Sequence, residues 1–290
     1  FRSMRRFDYH QPQTLRDALK IMEEQTGEAR YIAGGTDLIV RLKQRAMAVD
    51  ALVSLRGIPE LRGIAKNGEW RFGGMCLFRE IERSASVERA LPALFQAVKV
   101  LANPQVRNVA TIGGNLCNAA PSADCAPPLL VLDARITLEG AGGVREVAIE
   151  DFFTGPGQTC KRPEEIMTGI RVPQPGGQTG SAFLKIGRVS QDIAVVNMAV
   201  LVEMEGDVCR RCRLAAGAVA PVPFRLRRTE KRIEGRRIDP DLLEAAAAEA
   251  AEEVRPISDV RATAEYRCTV AGVLVKRGLQ QALATVGRSD

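Results

Sequence analysis

The sequence predicts an α+β fold class: a mixed helix-and-strand part followed by a smaller α+β unit. Three observations point to it. Two Gly-Gly pairs, Gly34-Gly35 and Gly113-Gly114, each follow a short apolar run and precede a helix-like pattern. A proline- and glycine-rich stretch, Lys161-Arg162-Pro163 and then Pro173-Gln174-Pro175-Gly176-Gly177, marks a boundary. Beyond it come three strand-like runs and then two helical ones, an order that favours a segregated α+β arrangement.

Each element has a local reason. Thr14 is an N-cap candidate with Asp17 three residues on. Leu15, Ala18, Leu19 and Met22 then share one face of a helix over 14–24, closed by Gly27. Arg30–Ala33 is a short strand, Asp37–Arg45 a helix and Ala51–Leu55 a strand. Glu69–Phe72 is a strand ending at Gly73-Gly74, and Leu77–Ser84 and Leu91–Leu101 are helices. Val109–Ile112 leads into the second Gly-Gly pair, and Pro127–Leu132 is a buried helical segment. Arg135–Glu139 and Val144–Ile149 alternate as a hairpin around Ala141-Gly142-Gly143. In the second part, Ala182–Ile186, Ala194–Glu203 and Cys209–Ala220 read as strands, with Ala194–Leu201 equally compatible with a helix. Asp241–Val254 and Ala264–Leu283 read as helices.

Composition narrows the function classes. With 290 residues, 46% apolar and 26% charged, the chain can bury a core without disulfides or a structural metal. The net charge of +6 is spread out, and the densest basic stretch, Arg225–Arg237, has only Phe224 beside it. It reads as a solvated helix face or loop, and no nucleic-acid partner is expected. No apolar run reaches the roughly 18 residues of a membrane span. Phe1-Arg2-Ser3 read as an expression remnant ahead of an initiator Met4, no signal peptide follows, and a cytoplasmic protein is expected.

The seven cysteines are then expected as thiols. Cys209 and Cys212 form a lone CxxC, which reads as two small side chains in a strand, because a metal site needs a second pair or histidine partners. The one histidine, His10, argues against Ser-His-Asp, Cys-His and histidine-ligated metal catalysis. With so little acid–base equipment, the chemistry is expected from a cofactor. No catalytic side chain and no metal ligand is assigned.

Two segments carry that expectation. In Ala33-Gly34-Gly35-Thr36-Asp37-Leu38 a strand runs into two glycines, a hydroxyl and a helix start. Such a turn presents successive backbone N–H groups to a phosphate. The second, Ala110 through Asp124, is rich in small and hydrogen-bonding residues without Lys or Arg, and suits a backbone-lined pocket for a large polar ligand. Neither is a Walker A loop nor a Rossmann G-x-G-x-x-G, so a dinucleotide would sit in a different fold.

Together, AGGTDL at 33–38 and ATIGGNLCNAAPSADCAPPLLVLDA at 110–134 resemble the FAD-binding subunit of the xanthine dehydrogenase and carbon monoxide dehydrogenase family. The resemblance covers nearly the whole chain. It takes in Asn103–Asn108, Phe183-Leu184-Lys185 with Arg188 and Asp192-Ile193-Ala194, Gly217–Pro221 and Arg261–Arg267.

It implies a two-subdomain FAD-binding module of the vanillyl-alcohol-oxidase (PCMH) type over 4–175, with subdomains of about 4–57 and 58–175. A C-terminal CO dehydrogenase flavoprotein-like domain, a small antiparallel sheet with helices, would cover 179–285. Non-covalent FAD would be held by Gly34, Gly35 and Thr36 from one side and by Thr111, Gly113, Gly114 and Asn115 from the other. Arg30, Ile32, Ala33, Asp37 and Leu38 would complete the first loop; Ala110, Asn118 and Ala123 would complete the second. Asp124 would bind a polar group such as a ribose hydroxyl, and Met167 and Lys185 would approach the isoalloxazine ring. Arg30 stands where some relatives have lysine.

The implied role is electron transfer within a heterotrimer. A molybdopterin-binding large subunit hydroxylates, a small subunit carries two-iron two-sulfur clusters, and this chain carries FAD and passes electrons to an acceptor such as NAD. Cluster cysteine spacing, including the extra four-cysteine loop of 4-hydroxybenzoyl-CoA reductases, is missing from this sequence. A self-contained FAD oxidoreductase of the same fold and a flavin-free scaffold are the alternatives. The first would want a general acid or a covalent His or Cys link, and the intact glycines argue against the second.

Overall fold

The computed structural model describes residues 4–287; Phe1-Arg2-Ser3, read as an expression remnant, lie outside the described residues. Three main sheets follow one another along the described residues, with a separate two-stranded pair besides. The first holds β1 (Asp8–His10), β2 (Ala29–Ile32) and β3 (Ala51–Ser54), with α1 (Leu15–Glu23) and α2 (Leu38–Lys43) as connections. β3 lies between the other two and parallel to both. Its residues are all buried, as expected for a central parallel strand. The sequence missed β1 because an edge strand reading Asp-Tyr-His, mostly exposed, carries no apolar pattern. The Thr14 cap is present: its Oγ1 accepts from the Asp17 amide at 3.1 Å.

The second sheet is antiparallel and built from distant segments. β4 (Ile64–Asn67) and β5 (Glu69–Gly73) precede six helices: α3 (Phe78–Glu82), α4 (Ala85–Ala90), α5 (Pro92–Lys99), α6 (Pro104–Arg107), α7 (Ile112–Asn118) and α8 (Ala126–Val131). Then come the hairpin β6 (Arg135–Gly140) and β7 (Gly143–Ala148), α9 (Ile149–Phe152), the short pair β8 (Phe153–Gly155) and β9 (Gln158–Thr159), and β10 (Ile166–Pro173). The order is β4-β5-β10-β6-β7. The central strand, β10, runs through the stretch that the sequence offered as a boundary, starting after Pro163 and ending on Pro173. Its near-continuous burial gives no alternation to read. Gly113 and Gly114 fall inside the first turn of α7.

The third sheet joins β11 (Thr179–Ile186), β12 (Val196–Glu205), β13 (Val208–Gly217) and β14 (Phe224–Arg225). α10 (Arg227–Ile233) and β15 (Arg236–Arg237, paired with β13) follow, and then α11 (Pro240–Glu253) and α12 (Ala264–Leu283). The helix alternative for Ala194–Leu201 is excluded, because β12 pairs residue for residue with β11 and β13. The ambiguity had a physical cause. Val196, Met198, Val200 and Val202 face the core under α11 and α12, while Ala199 and Leu201 join the core of the preceding part. A strand buried on both faces loses its period of two.

The CxxC pair lies in β13, where both side chains are fully buried. Residues three apart on a regular strand would face opposite ways. The register slips between Glu203↔Arg211 and Met204↔Cys209, and this bulge returns Cys209 and Cys212 to one face. Four arginines of the basic stretch pair with acids: Arg225 with Glu230, Arg227 with Glu150, and Arg228 and Arg232 with Glu249.

Asp259, before α12, accepts from the Arg261 and Ala262 amides and from Arg267 at 2.8 Å. The Arg261 amide above all, with Arg267, pulls its carboxyl down to about 2. A carboxyl depressed in the folded state adds stability above its unfolded pKa of about 3.9 that is lost as pH falls through the folded value. Thermal melts of Asp259→Asn are therefore expected to fall less steeply between pH 4 and pH 2 than those of the parent. Parallel slopes would show that Asp259 is not part of the acid response.

Candidate cofactor-binding site

A large cleft runs where the three main sheets meet. Its volume is about 1060 Å³, just beyond the roughly 300–1,000 Å³ typical of small-molecule sites. It therefore suits a ligand of dinucleotide size. Every site residue expected from the sequence lines it except Ile32. Ile32 is buried beneath the first loop, where a Cβ on Gly35 would come within 3.2 Å of its Cδ1.

The turn from β2 to α2 forms one wall. The backbone amides of Gly34, Gly35, Thr36, Asp37 and Leu38 donate to no acceptor among the described residues. Their residues all face the cleft. Five consecutive free amides are an anion cradle made of backbone, and they need an external acceptor. Gly35 makes the turn possible with φ of +76°. Gly34 serves differently, for a Cβ there would lie 2.2 Å from the Val109 carbonyl oxygen. The glycine lets the first loop rest directly on the approach to α7.

The second loop does not offer its amides in the same way. Ile112 donates to the Cys76 carbonyl at 3.0 Å, Gly113 to that of Gly74 at 3.1 Å, and Gly114 to the Thr111 hydroxyl at 3.0 Å. The first turn of α7 is thus satisfied by its own N-cap and by the β5–α3 turn. What it leaves open is a side chain: Asn115 Oδ1 is buried and has no partner. A buried amide oxygen without a donor is costly, and a ligand in the cleft would supply one.

A buried ion pair closes another part of the wall. Lys185 of β11 donates to Asp124 at 2.6 Å, and Asn197 of β12 donates to the other carboxylate oxygen at 2.8 Å. Burial lifts the Asp124 carboxyl above its usual range, against the pull of Lys185 and Asn197. Asp124 is therefore already committed within the protein. Met167 is buried at the base, with its carbonyl against Gly74. Arg30 is half-exposed, and its guanidinium pairs with Glu28 at 2.8 Å. Burial pushes the Cys117 thiol up to about 11 and that of Cys125 well above its usual range, so both are neutral side chains at ordinary pH.

Sequence reasoning missed several lining residues: Leu101, Ala102, Met75, Tyr31, Lys161 and the Gln191–Ile193 segment. Ala102 adopts φ of 45° without being glycine, a conformation no sequence signal announces. Asn103, which caps α6 through a 2.9 Å bond to the Val106 amide, was the nearest local clue.

Comparison with known proteins agrees with this geometry. The family model for the FAD binding domain in molybdopterin dehydrogenase matches residues 5–175, and that for the CO dehydrogenase flavoprotein C-terminal domain matches residues 181–282. A xanthine dehydrogenase FAD-binding subunit of Escherichia coli O157:H7 is 35% identical over 283 residues, covering 96% of this chain and 97% of the relative. The carbon monoxide dehydrogenase medium chain of Hydrogenophaga pseudoflava is 34% identical over 96% of this chain and 98% of its own length. Among solved structures, the carbon monoxide dehydrogenase of Hydrogenophaga pseudoflava superposes with a TM-score of 0.95 at 33% identity, over 98% of this chain and 100% of that one. Quinoline 2-oxidoreductase from Pseudomonas putida 86 gives 0.93 at 27% identity, over 100% of both chains.

Proposed function

Because this chain belongs to the family of FAD-binding medium subunits of xanthine and CO dehydrogenase-type molybdenum hydroxylases, we propose that it holds FAD non-covalently in this cleft and passes electrons from a small iron–sulfur subunit, fed by a molybdopterin-binding large subunit, to an acceptor such as NAD. The row of free amides from Gly34 to Leu38 carries the reading, because it is a preformed receptor for a diphosphate.

The residues present suit FAD. The first loop would take the diphosphate through its amides, and Asn115 would meet a ligand donor with its unpaired oxygen. Thr111, Gly113 and Gly114 act by fixing the loop around Asn115. Met167 and Lys185 form the wall assigned to the isoalloxazine end, and Asp124, read as a contact to a polar group such as a ribose hydroxyl, is held beside them by Lys185. FAD bound there supplies a carrier that accepts single electrons and releases them singly or in pairs. The protein's part is to bind, orient and keep water from the buried face. His10 lies on β1, away from the cleft, so no histidyl–flavin link is available to a self-contained oxidase.

The expected division at 4–175 (subdomains 4–57 and 58–175) and 179–285 is kept within this reading, supported by the three successive sheets. So is a cytoplasmic location, supported by seven free thiols. Among the described residues no helix is long and apolar enough to cross a membrane.

The test is reconstitution. The purified chain is mixed with FAD, freed of excess and measured by visible absorbance. A yellow protein with one FAD per chain, released intact on denaturation, is expected. A folded chain that stays colourless would favour the flavin-free scaffold.

A further inference from the structure

Lys161 is the one lysine of the β9–β10 connection, and it stands in the cleft wall. Its ammonium donates to the carbonyls of Arg162 at 2.7 Å and Glu165 at 2.9 Å. It lies 6.0 Å from the centre of the Tyr31 ring, whose hydroxyl donates to the Glu164 carbonyl.

No carboxylate lies within ion-pair distance of it among the described residues. The Glu165 carboxylate is taken by Arg145 at 2.6 Å and by the Arg162 amide at 2.7 Å. Cys117 lies alongside, but its thiol is neutral and offers no countercharge. Burial pulls the lysine's pKa down, against the weaker pull of the Glu165 and Glu164 carboxylates, neither of which reaches it as an ion pair. Buried lysines are ordinarily paired. Two of its three N–H donors are used, which leaves the third, and a cation held by no ion pair among the described residues, for a ligand.

Its position says what would match them. Tyr31 is three residues before Gly34 in the free-amide loop. Cys117 is one turn along α7 from Gly113 and Gly114. Lys161 thus flanks the cradle from a third side, while Arg30, at the start of the first loop, is paired with Glu28.

We infer that Lys161 supplies the cationic contact to the diphosphate of the bound dinucleotide, completing a cradle that the two glycine-bearing loops form from neutral groups alone. This rests on the flavin reading above and adds to it the residue that recognises the ligand's charge.

The test measures FAD affinity of the full chain at several salt concentrations for the parent, Lys161→Met and Lys161→Arg. A charged hydrogen bond is worth about 10- to 100-fold in affinity. Lys161→Met is expected to weaken FAD binding by that factor and to flatten its salt dependence, and Lys161→Arg to recover most of the loss. Acetylation of the parent followed by mass spectrometry serves as a second measurement that needs no variant. FAD should protect Lys161, and riboflavin, which has no phosphate, should not. A folded Lys161→Met chain within twofold of the parent, or acetylation indifferent to FAD, overturns the inference while leaving the flavin reading intact. A parent chain that takes up no FAD overturns both.

Discussion

Gly34→Ala is expected to lose at least tenfold in FAD affinity and to melt earlier, although the residue it introduces is the smallest available. The added methyl would sit 2.2 Å from the Val109 carbonyl oxygen and 2.8 Å from the Ala110 Cα. Both are backbone atoms, so no side chain can rotate away. The first loop must then lift from the segment leading into α7. Overpacking of this kind costs about 1–3 kcal/mol, and part of it falls on the geometry of the five free amides. A rigid receptor displaced by a fraction of an ångström loses its ligand faster than it loses its fold. Gly142→Ala is the matched control, because a Cβ there meets nothing within 4 Å. Flavin absorbance after desalting, beside a thermal melt, checks both. Parent-like flavin content in Gly34→Ala would show that the contact between the loops is not what sets the cradle.

Lys185→Met is expected to be the most destabilising single change in the cleft wall. The Lys185 and Asp124 side chains are each 8% exposed. Removing the ammonium leaves a buried carboxylate with Asn197 as its remaining side-chain partner. Breaking a buried pair from one side costs about 3–5 kcal/mol, or roughly 6–20 °C in Tm for a chain of this size. The loss should depend on pH. Burial already lifts the Asp124 carboxyl, and without Lys185 it rises further, so folding favours the protonated form. Such a group stabilises below its unfolded pKa of about 3.9, and that stability is lost as pH rises through the folded value. The deficit of Lys185→Met relative to the parent should therefore be larger at pH 8 than at pH 4. Asp124→Asn in the same background should recover part of it, because an amide stays neutral. A deficit independent of pH would assign the effect to lost packing of the lysine stem.

The sequence by itself determined the local devices. Thr14, Asn103, Thr111, Asp239 and Thr263 cap helices through bonds that reach three residues along the chain. The positive φ of Gly35 likewise needs only its own backbone, and the order of the two loops in the chain was enough to recognise the family. Tertiary structure decided what depends on distant partners. β10 became the central strand of its sheet by pairing with β5 and β6, segments about 100 and 30 residues away. The amides of α7 look open in sequence, yet they are consumed by Cys76, Gly74 and Thr111. Asp124 and Arg30 read as ligand groups, and each proved to have a charged partner in the fold. Lys161 carries no motif at all; its lack of an ion pair appears only once Arg145 has claimed Glu165. A cap or a glycine turn is decided by neighbours in the chain, whereas which polar groups remain unsatisfied is known only after every other group has found its partner.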